Sequence, residues 1–215
     1  MDKNDPEIKF FYEKRALENG YNTVAGIDEA GRGPLAGPVV AAAVIVHDTG
    51  FTERIDDSKK LSEKRREKAY LDIIKRCDIG IGVSTVEEID DLNILNATLL
   101  AMKRAVLELK VMPDYLLIDG KMDVRVPSER TYLISGESKS VSIACASIIA
   151  KVFRDRLMME EDKRYPRYGL CRHKGYGTRE HIEAIRKYGI TAIHRKSFGP
   201  CGSGRGSRSN KKWGG

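Results

Sequence analysis

The sequence has no long hydrophobic run. Its longest apolar stretch spans residues 39–46, whereas a membrane-spanning helix needs about 20 apolar residues. The first twenty residues alternate charged and aromatic side chains and contain no apolar segment of the kind found in secretory signals. Both absences argue against a membrane or exported protein, and we expect a globular, cytoplasmic one.

Cysteine is also scarce. Cys77, Cys145, Cys171 and Cys201 form no CxxC pair and have no paired histidines nearby, so the sequence gives little support to a zinc site. We expect reduced thiols. Cys145 lies in a run of small residues and is predicted to belong to the core.

The composition is that of a folded domain with an uneven charge distribution. Of 215 residues, 41% are hydrophobic and 32% are charged, which suffices for one well-packed core. The net charge is +7, and residues 163–196 hold ten Lys or Arg against two Glu. A basic C-terminal third fits a protein that docks on phosphates, although a solvated surface with a basic tail is the alternative.

The residue pattern predicts an α/β fold. Strands are predicted at residues 23–27, 39–46, 77–84, 115–118 and 131–134. Helices are predicted at residues 63–76, 94–109, 142–163 and 178–188, with a short helical turn at 87–92 and with Ser62 and Thr178 as N-caps. Three consecutive strands favour an antiparallel meander, and the later strand–helix alternation favours parallel pairing. We therefore expect a mixed five-stranded sheet of three antiparallel and two parallel strands, flanked by helices, with a small helical C-terminal region.

Acidic residues follow two of these strands. Asp28 and Glu29 come directly after the first strand, and in the loop behind them four of the seven residues 31–37 are Gly or Pro. Asp119 ends a later strand and is followed by glycine. Carboxylates bind hard divalent cations, and glycine backbone can approach a sugar or phosphate closely. Taken alone, Asp119 could belong to a plain turn and Asp28 could pair with Arg32, but the pattern favours metal-dependent chemistry on a polyanion.

Several segments closely resemble, in order, the signature sequences of bacterial ribonuclease HII. They are GIDEAGRGPLAGPV at residues 26–39, DSKKL at 57–61, NILNATLLAM at 93–102, LIDG at 117–120, SIACASIIAKV at 142–152 followed by RD at 154–155, HKGYGT at 173–178 and HRKSFGP at 194–200. The resemblance covers residues 22–200 and implies an RNase H-like fold. It also implies an endonuclease that hydrolyses the RNA strand of RNA–DNA hybrids and incises at single ribonucleotides embedded in duplex DNA.

The same resemblance implies the catalytic ligands. Asp28, Glu29 and Asp119 match three metal-binding acids of the family, and the fourth, usually an Asp after a Gly, corresponds to Glu137. The extra methylene of Glu137 shifts its carboxylate by about a bond length unless the backbone compensates. Four such acids would hold two Mg²⁺ or Mn²⁺ ions about 4 Å apart and yield 5′-phosphate and 3′-hydroxyl ends. No histidine lies in the acidic segments, which argues against a cyclising mechanism with a histidine base.

Substrate contacts are expected from two glycine-containing loops. The backbone of Gly31, Arg32 and Gly33 could bond the ribose 2′-hydroxyl, the group that locally distinguishes RNA from DNA. The resemblance implies that Tyr176 stacks on the neighbouring deoxyribose, whereas an ordinary surface aromatic is the alternative. The candidate phosphate contacts, each of which could equally be plain solvated charge, are Lys59, Lys60, Arg172 and Lys174. For Asp155 and His194 we expect structural pairing.

The expected organisation has four parts. They are an N-terminal extension (1–22), an RNase H-like catalytic domain (23–165), a C-terminal substrate-binding region (166–200) and a disordered basic tail (201–215). We expect a monomer that binds RNA–DNA hybrids and ribonucleotide-containing duplex DNA. One alternative is a non-catalytic hybrid-binding protein whose metal site is spoiled by Glu137. Others are ribonuclease HIII-like specificity, although that family carries Gly-Lys-Gly at positions 31–33 and an extra N-terminal domain, and a DNA nuclease or recombinase on the same scaffold.

Overall fold

The computed structural model describes residues 10–202 and has one mixed sheet at its centre. Its strands are β1 (Val24–Ala30), β2 (Val39–Val46), β3 (Cys77–Ser84), β4 (Tyr115–Asp119) and β5 (Glu129–Leu133). The strand order is β3-β2-β1-β4-β5, with antiparallel pairing among β1, β2 and β3 and parallel pairing from β1 to β4 and β4 to β5. The predicted five-stranded mixed sheet is confirmed.

Six α-helices accompany the sheet within residues 10–202. They are α1 (Phe11–Glu18), α2 (Glu63–Arg76), α3 (Val86–Leu107), α4 (Val141–Arg164), α5 (Leu170–His173) and α6 (Arg179–Tyr188). The predicted N-caps are confirmed, because the side chains of Ser62 and Thr178 accept hydrogen bonds from Arg65 N and His181 N. In this part of the chain no helix is long and apolar enough to cross a membrane.

Helix α3 unites two predicted segments. Residues 87–92 and 94–109 were expected as separate helical pieces, and the structure has one element that is interrupted at Asn93, where φ is 67°. The Asn93 side chain accepts hydrogen bonds from Leu95 N and Asn96 N and so begins the second piece. The break therefore lies where the sequence pattern places it.

At the N-terminal end the structure shows a helix that the sequence analysis did not predict, and at the C-terminal end one prediction is corrected. Helix α1 lies in the segment predicted as an extension, and it escaped prediction because Phe11 and Leu17 are exposed while Glu13 is buried, which leaves no apolar stripe. Cys201 was assigned to the disordered tail, but it is buried in a cluster with Leu35 and Leu170. The remainder of that predicted tail, residues 203–215, lies outside the described residues.

The sheet is covered on both faces. Alternate residues of β2 point to opposite sides, so Val39 and Ala41 pack with α3 while Val40 and Ala42 pack with α2 and α4. Helix α4 approaches β1 closely at Gly26, where a Cβ atom would lie 2.2 Å from the Ser142 carbonyl carbon. All four cysteines are free thiols, and Cys145 is fully buried as predicted.

Candidate active site

Asp28 and Glu29 are held inside β1. The sequence analysis put them after the strand, but β1 extends to Ala30 because its pairing with β2 continues to Val40. Asp28 is 7% exposed, and its Oδ1 accepts a hydrogen bond from Glu29 N at 2.7 Å. Ser147 of α4 lies close enough to the Asp28 carboxyl to oppose the rise in its pKa. The first acid is thus fixed between sheet and helix.

The parallel strand β4 brings Asp119 alongside. Ile27 of β1 pairs with Ile118 of β4, so the next residues, Asp28 and Asp119, lie on neighbouring strands. Asp119 Oδ1 accepts a hydrogen bond from Gly136 N at 2.7 Å, which draws in the 3-10 turn Gly136–Ser138 after β5. Glu137 belongs to this turn, and its carboxyl lies close enough to Asp119 for their charges to interact.

The acids influence one another electrically. Burial raises the pKa of Asp28, and the charges of Glu29 and Asp119 raise it further. Burial likewise raises the pKa of Glu29, although Arg32, whose Nη1 lies 3.3 Å from Glu29 Oε1, opposes the shift. Burial also raises the pKa of Glu137, as do the negative charges of Asp119 and Asp57. The four acids therefore form one electrostatic unit that is short of positive charge.

Two oxygens of this unit are buried without a hydrogen-bond partner, Glu29 Oε2 and Glu137 Oε2. Because a buried polar atom without a partner is costly, these oxygens fit the binding of a cation. Within residues 10–202, however, no three or more His, Cys, Asp or Glu side chains form a ready metal-holding group. The acids must therefore rotate toward a bound ion to share it.

The DSKKL segment contributes residues that the sequence analysis missed. Ser58 Oγ lies 3.0 Å from Ser147 Oγ, which links this loop to Asp28. Asp57 raises the pKa of Glu137 through its charge. The segment was recognised by resemblance, but only Lys59 and Lys60 were singled out. Both lysines are exposed, and their role as phosphate contacts stays a prediction.

The structure brings the glycine-rich loop and Tyr176 together. Gly33 is exposed, and a Cβ atom there would lie 3.6 Å from Tyr176 Cε1. Leu35 N donates a hydrogen bond to Gly175 O at 2.8 Å, which holds the two loops side by side. Tyr176 itself is 44% exposed. The expected ribose-contacting loop and the expected stacking ring thus border the same surface.

Other candidate residues are engaged locally. Arg172 forms an ion pair with Glu180, and Lys174 Nζ donates a hydrogen bond to Cys171 O at 2.5 Å. Their predicted phosphate contacts remain untested. The structural pairing expected of Asp155 and His194 is found: Lys151 Nζ binds Asp155 Oδ1 at 2.7 Å, and His194 Nε2 lies 3.1 Å from His181 Nε2.

Known proteins match the sequence of this chain closely. The sequence profile of the Ribonuclease HII family matches residues 25–201. The chain belongs to the ribonuclease HII family. Ribonuclease HII of Acetivibrio thermocellus is 59% identical over 189 residues, which cover 87% of this chain and 73% of that protein. Ribonuclease HII of Caldanaerobacter subterraneus is 52% identical over 198 residues, covering 91% and 81%.

Solved structures share the fold. Ribonuclease H2 from Pyrococcus horikoshii has a TM-score of 0.72 at 25% identity and covers 84% of this chain and 95% of its own. In the PCNA:RNase HII complex from Archaeoglobus fulgidus, the matching chain has a TM-score of 0.70 at 25% identity, covering 89% and 98%. The chain is therefore an RNase H-like α/β protein and an endonuclease that hydrolyses RNA in RNA–DNA hybrids.

Proposed function

We propose that this member of the ribonuclease HII family is a divalent-metal-dependent enzyme that also incises at single ribonucleotides embedded in duplex DNA. The observation that most supports the metal dependence is the clustering of Asp28, Glu29, Asp119 and Glu137 into one electrostatic unit with two unpaired buried oxygens. Bound cations would offset the repulsion among these four carboxylates, which a ligand without positive charge could not do.

Asp28, Glu29, Asp119 and Glu137 would hold Mg²⁺ or Mn²⁺, and we expect two ions. When bound, such ions supply activation of the attacking water and stabilisation of the leaving 3′ oxygen. The chain itself orients the ligands: Glu29 N holds Asp28, and Gly136 N holds Asp119. A related protein, Bst-RNase HIII, which is 19% identical with a TM-score of 0.66, has been solved in complex with Mn²⁺. Hydrolysis in this mode leaves 5′-phosphate and 3′-hydroxyl ends.

Substrate selection is proposed to come from residues 31–33 together with Tyr176. A hybrid or a ribonucleotide-containing duplex would place its ribose against the glycine-rich loop and the next sugar against the Tyr176 ring. The approach of Gly33 to the ring, where an added Cβ atom would lie 3.6 Å from Tyr176 Cε1, supports this pairing. Residues 166–200, which carry Tyr176, are accordingly proposed as the substrate-binding region beside a catalytic domain of residues 23–165.

The proposal is tested with a DNA duplex that contains one ribonucleotide. We expect incision at that position with Mg²⁺ or Mn²⁺, none with EDTA, and product ends that carry 5′-phosphate and 3′-hydroxyl groups. Asp28→Asn should reduce the rate by about a thousandfold or more, because a carboxylate ligand is lost. Absence of incision by folded wild-type protein would refute the proposal. Binding without cleavage would identify a hybrid-binding protein. Cleavage of an all-DNA duplex would identify a DNA nuclease.

Asp28→Asn is a matched variant, because its amide oxygen can still accept the hydrogen bond from Glu29 N. Burial and the charges of Glu29 and Asp119 raise the pKa of Asp28, so removing its charge relieves repulsion in the metal-free protein. Its melting temperature without metal should therefore equal or exceed that of the wild type. A loss of activity with a lower melting temperature would instead indicate damage to the fold.

A further inference from the structure

Arg195 is fully buried, and backbone carbonyls engage all of its N–H donors. It lies in the HRKSFGP segment, to which no function has yet been attached. A guanidinium group has five N–H donors in one plane. Nε and Nη2 donate to Gly37 O, Nη2 also donates to Gly31 O, and Nη1 donates to Arg32 O and Pro34 O, all at 2.6–3.0 Å. The glycine-rich loop is therefore wrapped around one side chain.

The carbonyl dipoles offset the buried charge. An ionised group in the protein interior is stable only when its donors are satisfied. Burial and the nearby charge of Arg154 lower the pKa of Arg195 to about 9, so the group remains protonated at neutral pH. The loop and the guanidinium thus stabilise each other, and each depends on the other for its hydrogen bonds.

This arrangement fixes where the amide groups of the loop point. In a trans peptide the C=O and the following N–H point in opposite directions, and residues 10–202 contain no cis peptide. Because Gly31 O and Arg32 O point inward to Arg195, the N–H groups of Arg32 and Gly33 point away from it. These two N–H groups therefore point away from the protein interior, toward the surface of the loop.

Leu35 provides an internal check on that direction. Pro34 O also points to Arg195, and the opposite end of the same peptide, Leu35 N, donates a hydrogen bond to Gly175 O next to Tyr176. The side of the loop opposite Arg195 is thus the side that borders the Tyr176 loop. Gly33, beside the Tyr176 ring, lies on the same border.

We propose that Arg195 is the positioning residue for ribose recognition. By binding the carbonyls of Gly31 and Arg32, it turns the N–H groups of Arg32 and Gly33 toward the substrate, where they donate to the 2′-hydroxyl oxygen of a ribonucleotide. The inference rests on the proposed incision at ribonucleotides. It adds that selectivity depends on a side chain that never touches the nucleic acid.

Lysine cannot replace this arginine. A lysine ammonium has three donors on a flexible stem, whereas the planar guanidinium serves four carbonyls at once. Arg195→Lys keeps the positive charge but releases peptide planes of the loop. A matched variant exists at Arg154, which is equally buried and packs against Gly31, but it donates to Pro38 O, Ala36 O and Lys174 O and not to the carbonyls of Gly31 and Arg32. Arg154→Lys therefore changes packing against the loop without releasing these carbonyls.

The test compares binding of two duplexes of one sequence, with and without a single ribonucleotide, in EDTA so that neither is cut. We expect Arg195→Lys to lower the preference for the ribonucleotide duplex by about tenfold, the equivalent of about 1.4 kcal/mol for weakened hydrogen bonds. Arg154→Lys should lower stability comparably and keep the preference. A merely structural role for Arg195 would weaken binding of both duplexes equally, and an unchanged preference in folded Arg195→Lys would overturn the inference.

An NMR experiment on the wild type covers the case in which Arg195→Lys does not fold. The backbone amide signals of Arg32 and Gly33 should shift on titration with the ribonucleotide duplex and not with the all-DNA duplex. Equal shifts with both duplexes would overturn the inference. Failure of the wild type to incise any ribonucleotide substrate would instead refute the proposed function, so the two failures are distinguishable.

Discussion

Two glycines of one motif have different physical tasks. Gly31 has a φ of +98°, and a Cβ atom there would lie 2.1 Å from Arg154 Nε. Gly33 is exposed, and its Cβ position has only an ordinary contact with Tyr176. We expect Gly31→Ala to lower the free energy of unfolding by about 2–4 kcal/mol through strain and overlap. Gly33→Ala should change stability by about 0.5 kcal/mol at most, yet reduce kcat/KM for a single-ribonucleotide duplex.

Chemical denaturation and incision kinetics check this pair. Gly20 is a control for backbone strain alone, because its φ is +92° and nothing lies within 4 Å of its Cβ position. Gly20→Ala should therefore destabilise less than Gly31→Ala and leave incision unchanged. Equal destabilisation by Gly31→Ala and Gly33→Ala, or normal kinetics for Gly33→Ala, would contradict the division of tasks.

At the scale of single residues, the sequence predicts the acidic residues of the site better than the residues that hold the neighbouring loop in place. The predicted strand-end positions of Asp28 and Asp119 let their convergence be expected, and the structure places them on neighbouring strands, with Asp28 inside β1. The separate tasks of Gly31 and Gly33 could not be read, because φ has no sequence signature in a run of glycines. Arg195 also escaped, since an arginine bonded only to backbone carbonyls needs no acidic residue at a recognisable spacing.

Helix α1 contacts the body of the protein through the Glu13 carboxylate and through Ala16, which packs in a hydrophobic cluster with Val24 and Ile143. Glu13 Oε1 accepts hydrogen bonds from Ser140 Oγ, Ser142 N and Ser142 Oγ at 2.6–3.0 Å, at the start of helix α4. A negative charge is also favourable at a helix N-terminus. Glu13→Ala should therefore lower the free energy of unfolding by about 2–3 kcal/mol, because the buried donors of Ser140 and Ser142 lose their acceptor.

Denaturant titration of variants within α1 tests that value. Glu13→Gln keeps one acceptor oxygen but loses the charge, so an intermediate loss is expected. Glu18, at the exposed end of the same helix, is the control, and Glu18→Ala should change stability by about 0.5 kcal/mol at most. Similar effects at Glu13 and Glu18 would show that the contact with α4 contributes little.

The elements differ in how well their sequences reveal them. Helix α2 and strands β2 and β3 have the bounds expected from periodicity and Gly or Pro punctuation, because their own side chains determine burial. Helix α1 has no side-chain N-cap and only Glu13 and Ala16 as buried residues. Its position depends on a tertiary contact with α4, which is more than a hundred residues away in sequence and leaves no local pattern.

At the scale of the whole molecule, three histidines join the C-terminal region beneath Tyr176. His194 Nδ1 accepts a hydrogen bond from Thr191 N, so its Nε2 carries the proton and donates to His181 Nε2. His181 Nδ1 then donates to Tyr176 O. Both hydrogen-bonded rings, His181 and His194, are neutral. His173 stacks on His181 with ring centroids 4.5 Å apart. An added proton would place two N–H groups against each other.

This network predicts a loss of stability in mild acid. Burial and the neighbouring His181 together lower the pKa of His194 to about 4, whereas the unfolded value is about 6.5. The unfolded chain therefore binds more protons below pH 6.5, and stability falls as the pH drops from about 6.5 toward 4. For His194 alone the loss between pH 7 and pH 5 is about 2 kcal/mol. Denaturant titrations at both pH values measure it.

A comparison of slopes isolates the histidine, because the acids of the active site act in the opposite direction. Burial raises the pKa of Asp28 and Glu29, so the metal-free protein gains stability from their protonation as the pH falls. That gain is common to wild type and His194→Gln, and it cancels in the difference between them. The variant should be less stable at pH 7 but lose about 2 kcal/mol less on going to pH 5. Equal slopes for wild type and His194→Gln would show that His194 does not control acid stability.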